Sequence, residues 1–283
     1  MVKALTRFFA GRYVAGESRE DALRTAASLN ERGLAATIDY LGENVGNEAQ
    51  AGAAADEYVA LLEDIAAAGL DASASFKLTH MGLDIAESLA LENAERIIEK
   101  AARLGNFLRF DMEGSRYTEK TIELFCRLFE KYRNIGIAIQ AYLYRSEADV
   151  ERLVSLGASV RLCKGAYREP AEIAWPRKAD VDRSYERLMK LLLLGGNRPA
   201  LATHDTVLID KARRFAADND IDPRSFEFQM LMGIKRSLQQ RLADEGYRVK
   251  VYVPYGSHWL PYMLRRVRER RENLFFVLRN ILD

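Results

Sequence analysis

"GIAIQAYLYRSEADVERLVSLGASVRLCKGA", residues 136–166, holds one unit of the pattern that builds the chain. Residues 136–142 form a short β-rich run opened by glycine and read as a strand. Ser146 is placed to cap a helix over "EADVERLVSLG", and Gly157 to end it. Residues 159–166 then read as a second strand. A strand, a helix and a strand in succession form a crossover unit, which is how parallel strands are joined.

The same alternation runs outward in both directions. Toward the N-terminus the expected strands are 35–41, 73–80 and 107–112; toward the C-terminus they are 199–205, 226–232 and 249–255. Between them lie stretches such as "SLALENAERIIEKAARLG" and "YTEKTIELFCRLFEKY", with apolar residues three and four apart. Eight β–α units predict an α/β protein with a closed (β/α)8 TIM barrel. A doubly wound sheet would usually need fewer strands. No residue pattern recurs at a fixed period, so a solenoid is not expected. The expected organisation is an N-terminal helical arm at 1–34 and a barrel catalytic domain at 35–283.

Composition narrows the function classes. The chain has 283 residues, 48% hydrophobic and 29% charged, as expected of a globular protein with a sizeable core. Its 42 Lys+Arg against 41 Asp+Glu create no global field for nucleic acid, and none is expected as a partner. Cys126 and Cys163 are too few for a disulfide framework and suggest a reducing compartment. The N-terminus lacks a signal-peptide core, and "LMKLLLLGG" is far shorter than the ~20 residues of a membrane span. A cytoplasmic location is expected, with peripheral contact at the inner face of the cell membrane left open.

Barrel strands should be apolar, so ionisable residues near their C-terminal ends need a reason, and barrel enzymes assemble their sites there. Lys77, Asp111, Gln140, Arg161, Lys164, Thr203, His204, Asp205 and Tyr252 all fall at or near such positions. Singly, each could be a satisfied buried polar group. Together they predict a ring of convergent polar groups at one face. Its chemistry is not metal hydrolysis, since the three histidines have no ligand spacing. GxSxG, Walker A and GxGxxG motifs are also missing. Cys163 reads as a buried thiol rather than a nucleophile. Spacing alone leaves an anion-rich ligand at a cationic barrel mouth.

One further stretch, "YGSHWLPYMLRRVRER" (255–270), carries four arginines of a cluster of five that runs from Arg265 to Arg271. With "RLCKGAY" (161–167), "ATHD" (202–205), "FEFQML" (226–231) and "VYVPYG" (251–256), it resembles the flavin-dependent proline dehydrogenases, over roughly residues 35–283 and in order. The length resembles the monofunctional bacterial form. The resemblance implies a distorted (β/α)8 barrel, FAD as cofactor and L-proline as substrate. It also implies Δ1-pyrroline-5-carboxylate as product, electron transfer to a membrane quinone and proline catabolism as the setting.

Carried over motif by motif, the resemblance implies that Arg265 and Arg266 bind the substrate carboxylate. A helical wheel puts Tyr262, Arg265, Arg266 and Glu269 on one face, with Leu260, Met263, Leu264 and Val267 on the scaffold side. Arg268, Arg270 and Arg271 are then ordinary solvated residues. Lys77 matches a substrate lysine, Tyr252 and Tyr262 shape the proline pocket, and Leu231 is an apolar wall. Asp111 and Arg161 match catalytic groups, Arg161 as the cation near the flavin N5. Met112, Gln140, Lys164, Gly165, Ala166, Thr203 and His204 match cofactor contacts. Arg168 stands where relatives often carry an aromatic residue. Tyr252 favours proline over its 4-hydroxy analogue. The alternative is a Schiff-base lysine barrel lyase using Lys77 or Lys164. Oligomeric state is left undetermined.

Overall fold

The computed structural model describes residues 11–262. Its first regular element is α1 (Arg19–Asn30), opened by Ser18 and Asp21, which each satisfy the other's backbone N–H. Then follow β1 (Ala35–Tyr40), α2 (Glu48–Ala67), β2 (Ala72–Phe76), α3 (Glu87–Arg103), β3 (Leu108–Phe110), α4 (Ser115–Lys131) and β4 (Ile135–Gln140). The second half continues with α5 (Ser146–Ser155), β5 (Ser159–Cys163), α6 (Lys178–Gly195), β6 (Ala200–Ala202), α7 (Thr206–Asp218), β7 (Glu227–Leu231), α8 (Arg236–Asp244) and β8 (Arg248–Tyr255). All eight strands are parallel and close in chain order, with β8 pairing back onto β1 from Ala35↔Lys250 to Tyr40↔Tyr255. Closure removes both sheet edges. The expected (β/α)8 barrel is the observed fold.

Side chains alternate along each strand, and that alternation divides the core in two. Ile38, Phe76, Phe110, Ile137, Leu162, Phe228 and Val251 belong to the apolar layer shared with helix residues such as Tyr58, Ile97, Phe125 and Leu188. The other phase is polar and meets across the barrel: Arg161 of β5 reaches Ser75 of β2 and Gln229 of β7. Barrel strands here are apolar on one face only, which corrects the expectation that they are apolar throughout.

Several expected strands outlast the observed ones. β2, β3, β5 and β6 stop at Phe76, Phe110, Cys163 and Ala202. Residues 77–80, 111–112, 164–166 and 203–205 instead start the loops at the C-terminal mouth. Propensity carries no stop signal there; pairing ends where the mouth opens. Ser146 is a second correction. It is the first residue of α5 rather than its cap, buried, with its hydroxyl donating to the Gln140 carbonyl at 2.6 Å. Gly157 does follow the helix with φ +74°, the left-handed conformation that glycine adopts without strain.

Candidate active site

The C-terminal mouth of the barrel opens into a cavity of about 500 Å³. Lys77, Asp111, Met112, Gln140, Arg161, Lys164, Gly165, Ala166, Thr203, His204, Leu231, Tyr252 and Tyr262 all line it. These residues come from eight different segments, seven strands or strand ends and the helical residues 259–262, so only the closed ring brings them together. Arg265 and Arg266 lie outside the described residues. Residues 259–262 are helical, and here the wheel needs correcting: Leu260 is 55% exposed, whereas Tyr262 is buried against Val14 and Leu41.

Lys77, Asp111 and Arg161 form a charged floor, backed by Asp39 beneath it. The Lys77 ammonium donates to Asp39 Oδ2 at 3.0 Å and lies 3.9 Å from Asp111 Oδ2. Arg161 donates to Asp111 Oδ1, to Gln229 Oε1 at 2.6 Å and to Ser75 Oγ at 2.8 Å. Its guanidinium also lies 5.6 Å from the centre of the Tyr252 ring. Burial works against the charge on Lys77 and Arg161, but the facing carboxylates outweigh it and raise both pKa values. Both cations therefore persist in the cavity wall.

The rim combines backbone groups, neutral side chains and one charged cluster around Lys164. Gln140 donates to the Glu113 carbonyl at 2.9 Å and accepts from the Ala166 N–H at 3.4 Å, tying β4 to the corner after β5. At that corner Gly165 has φ +126°, and a Cβ there would come within 2.2 Å of the Tyr142 ring. Glycine is required by its conformation and by this packing. His204 Nε2 accepts from the Leu231 N–H at 2.8 Å, so the ring proton sits on Nδ1. Lys164 is held by Asp182 and by Asp205 Oδ2, the latter at 2.8 Å, while Asp205 caps α7. Thr203 Oγ1 accepts from the Asp205 N–H at 3.1 Å. Three cations, Lys77, Arg161 and Lys164, with an apolar wall of Met112, Ala138 and Leu231, suit a flat ring system carrying negative charge.

Several residues of the site escaped the sequence reading. Asp39, Gln229 and Ser75 all hold Lys77 or Arg161, and a deeper layer contains Arg109, Glu227 and Lys250. Burial lowers the Arg109 pKa to about 9. The signal for these is the polar residue at every second position, as in "TIDY" and "VKVY", inside the strands rather than at their ends. Glu113 was also missed. Its carboxylate accepts from the Thr79 hydroxyl at 2.5 Å and the Thr79 N–H at 3.2 Å, and burial raises its pKa to about 7. Among the described residues, no group of three or more His, Cys, Asp and Glu is placed to hold a metal ion.

Comparison with known proteins adds a second line of observation. A family model described as proline dehydrogenase matches residues 22–279. Proline dehydrogenase 1 of Bacillus subtilis subsp. natto is 43% identical over 277 residues, covering 98% of this chain and 92% of that protein. Proline dehydrogenase of Deinococcus radiodurans is 43% identical over 278 residues, covering 96% and 90%. Among solved structures, proline utilization A from Bdellovibrio bacteriovorus, inactivated by N-propargylglycine, superposes with a TM-score of 0.90 at 26% identity. That match covers 96% of this chain and 34% of the solved one, so the chain spans about a third of that longer protein.

Proposed function

Because the chain belongs to the proline dehydrogenase family and carries that activity, we propose that its barrel mouth binds FAD and L-proline and yields Δ1-pyrroline-5-carboxylate, with a membrane quinone as final electron acceptor. The observation that carries this reading is the buried pair of cations, Lys77 and Arg161, facing one cavity that also has an apolar wall of Met112, Ala138 and Leu231. Bound FAD supplies a two-electron acceptor at N5 for the hydride that leaves C5 of the substrate.

The protein's part is to place and polarise. Arg161, fixed by three hydrogen-bond partners, presents positive charge that favours electron transfer into the cavity. Lys77 offers an ammonium to the substrate carboxylate, and Arg265 and Arg266 add the bidentate clamp expected from their motif. Tyr252, Tyr262 and Leu231 provide the walls against which a small ring packs. Asp111 balances the cations and orients Arg161. Met112, Gln140, Lys164, Gly165, Ala166, Thr203 and His204 hold the cofactor. For Lys77 the lysine-lyase alternative loses ground, because an amine nucleophile requires a lowered pKa and that of Lys77 is raised.

The test is a visible spectrum of the purified protein, repeated anaerobically after L-proline is added. A flavin spectrum that bleaches with proline, and not with acetate, is the expected result. Protein reconstituted with FAD that shows no flavin spectrum would overturn the reading. Arg266→Met should retain flavin and lose turnover; wild-type kinetics in that variant would remove the clamp.

A further inference from the structure

Asp39 is an acid near the C-terminal end of β1, only 1% exposed, and it does not line the cavity. A carboxyl so placed is costly unless polar partners hold it. Oδ2 has two of them. Oδ2 accepts from Lys77 Nζ at 3.0 Å and from the Tyr252 hydroxyl at 2.5 Å. Oδ1 lies 3.3 Å from the Tyr58 hydroxyl, which donates to the Ser75 carbonyl at 2.8 Å. The two partners of Oδ2 are the two side chains that face the proposed substrate pocket from β8 and from the end of β2.

We propose that Asp39 is a positioning residue for proline oxidation, fixing the Lys77 ammonium and the Tyr252 hydroxyl from beneath the pocket. This rests on the assignment of Lys77 and Tyr252 to the substrate site. Lysine has a flexible four-carbon stem and needs an anchor to present its charge in one place. Asp39 is that anchor, because Asp111 is 0.9 Å farther from the ammonium, at 3.9 Å against 3.0 Å.

Tyr252 also couples Asp39 to Asp111. Its oxygen lies 2.5 Å from Asp39 Oδ2 and 2.9 Å from Asp111 Oδ2, yet it has one proton to give. The two carboxylates compete for that proton. A change at Asp39 is therefore transmitted to Asp111, and through Asp111 to Arg161.

Two double-mutant cycles in the FAD-loaded enzyme test this, pairing Asp39→Asn with Lys77→Met and with Tyr252→Phe and measuring kcat and KM for proline. Asp39→Asn alone should lower kcat/KM by about tenfold or more, with flavin content and Tm close to wild type. In both cycles the double variant should be at least ~5-fold more active than the product of the two single effects. Multiplicative effects in both cycles, with Lys77→Met and Tyr252→Phe each clearly impaired, would overturn the role of Asp39 alone. Lys77→Met and Tyr252→Phe enzymes with unchanged kinetics would overturn the pocket assignment and the inference with it. If Asp39→Asn does not load flavin, Asp39→Glu is read in the same two cycles.

Discussion

Three strands fix the guanidinium of Arg161: β2 through Ser75, β7 through Gln229, and the end of β3 through Asp111. A lysine would keep the charge and lose the planar fork, so it cannot meet all three partners. Arg161→Lys should retain flavin and lower kcat by about 100-fold, the scale seen when one preorganised donor is removed. Stopped-flow flavin bleaching by proline checks this, and near-wild-type reduction would leave Arg161 a structural role. Arg161 was legible because a cation within an apolar run demands an explanation. Asp39 satisfies the same rule, as an acid inside an apolar strand. The contacts among Asp39, Tyr252 and Lys77 were not legible at all, because they join β1, β8 and the end of β2 and depend on ring closure.

At the scale of elements, the N-terminal ends of the strands are secured apart from the chemistry. Asn30, the last residue of α1, donates through Nδ2 to the Leu34 carbonyl at 2.9 Å and the Asp71 carbonyl at 3.2 Å. Its Oδ1 accepts from the Asp71 N–H at 2.9 Å. One side chain thus ties the end of α1 to the starts of β1 and β2. Asn30→Ala should cost about 1–2 kcal/mol and lower Tm by several degrees, with kcat and KM unchanged because the active site is at the opposite mouth. A thermal melt beside a proline assay checks both halves. Element type and order were readable from alternating β-rich runs and helical spacing. Element ends were not, since residues such as Lys77 and Lys164 continue a strand-like pattern into loops that tertiary pairing no longer supports.

Across the whole molecule, the closed barrel traps groups whose titration opposes one another. Glu113 is buried, and its pKa is raised to about 7 from 4.5. The folded state then holds a proton that the unfolded chain releases, so this stabilisation is complete below about pH 4.5 and is lost as pH rises through about 7. His80 is buried against Tyr40, and burial lowers its pKa to about 3 from 6.5. The unfolded chain takes up a proton that the folded state refuses, so its contribution is complete above about pH 6.5 and is lost as pH falls toward 3. Between pH 4.5 and 6.5 the two slopes, each roughly 1.4 kcal/mol per pH unit, have opposite signs and cancel. Glu113→Gln removes one of them. Its stability, measured as urea unfolding free energy at pH 5, 6, 7 and 8, should fall more steeply than that of the wild type as pH drops below 6.5. Parallel curves for the two proteins would mean that Glu113 is ionised in the folded barrel, with Thr79 compensating its charge.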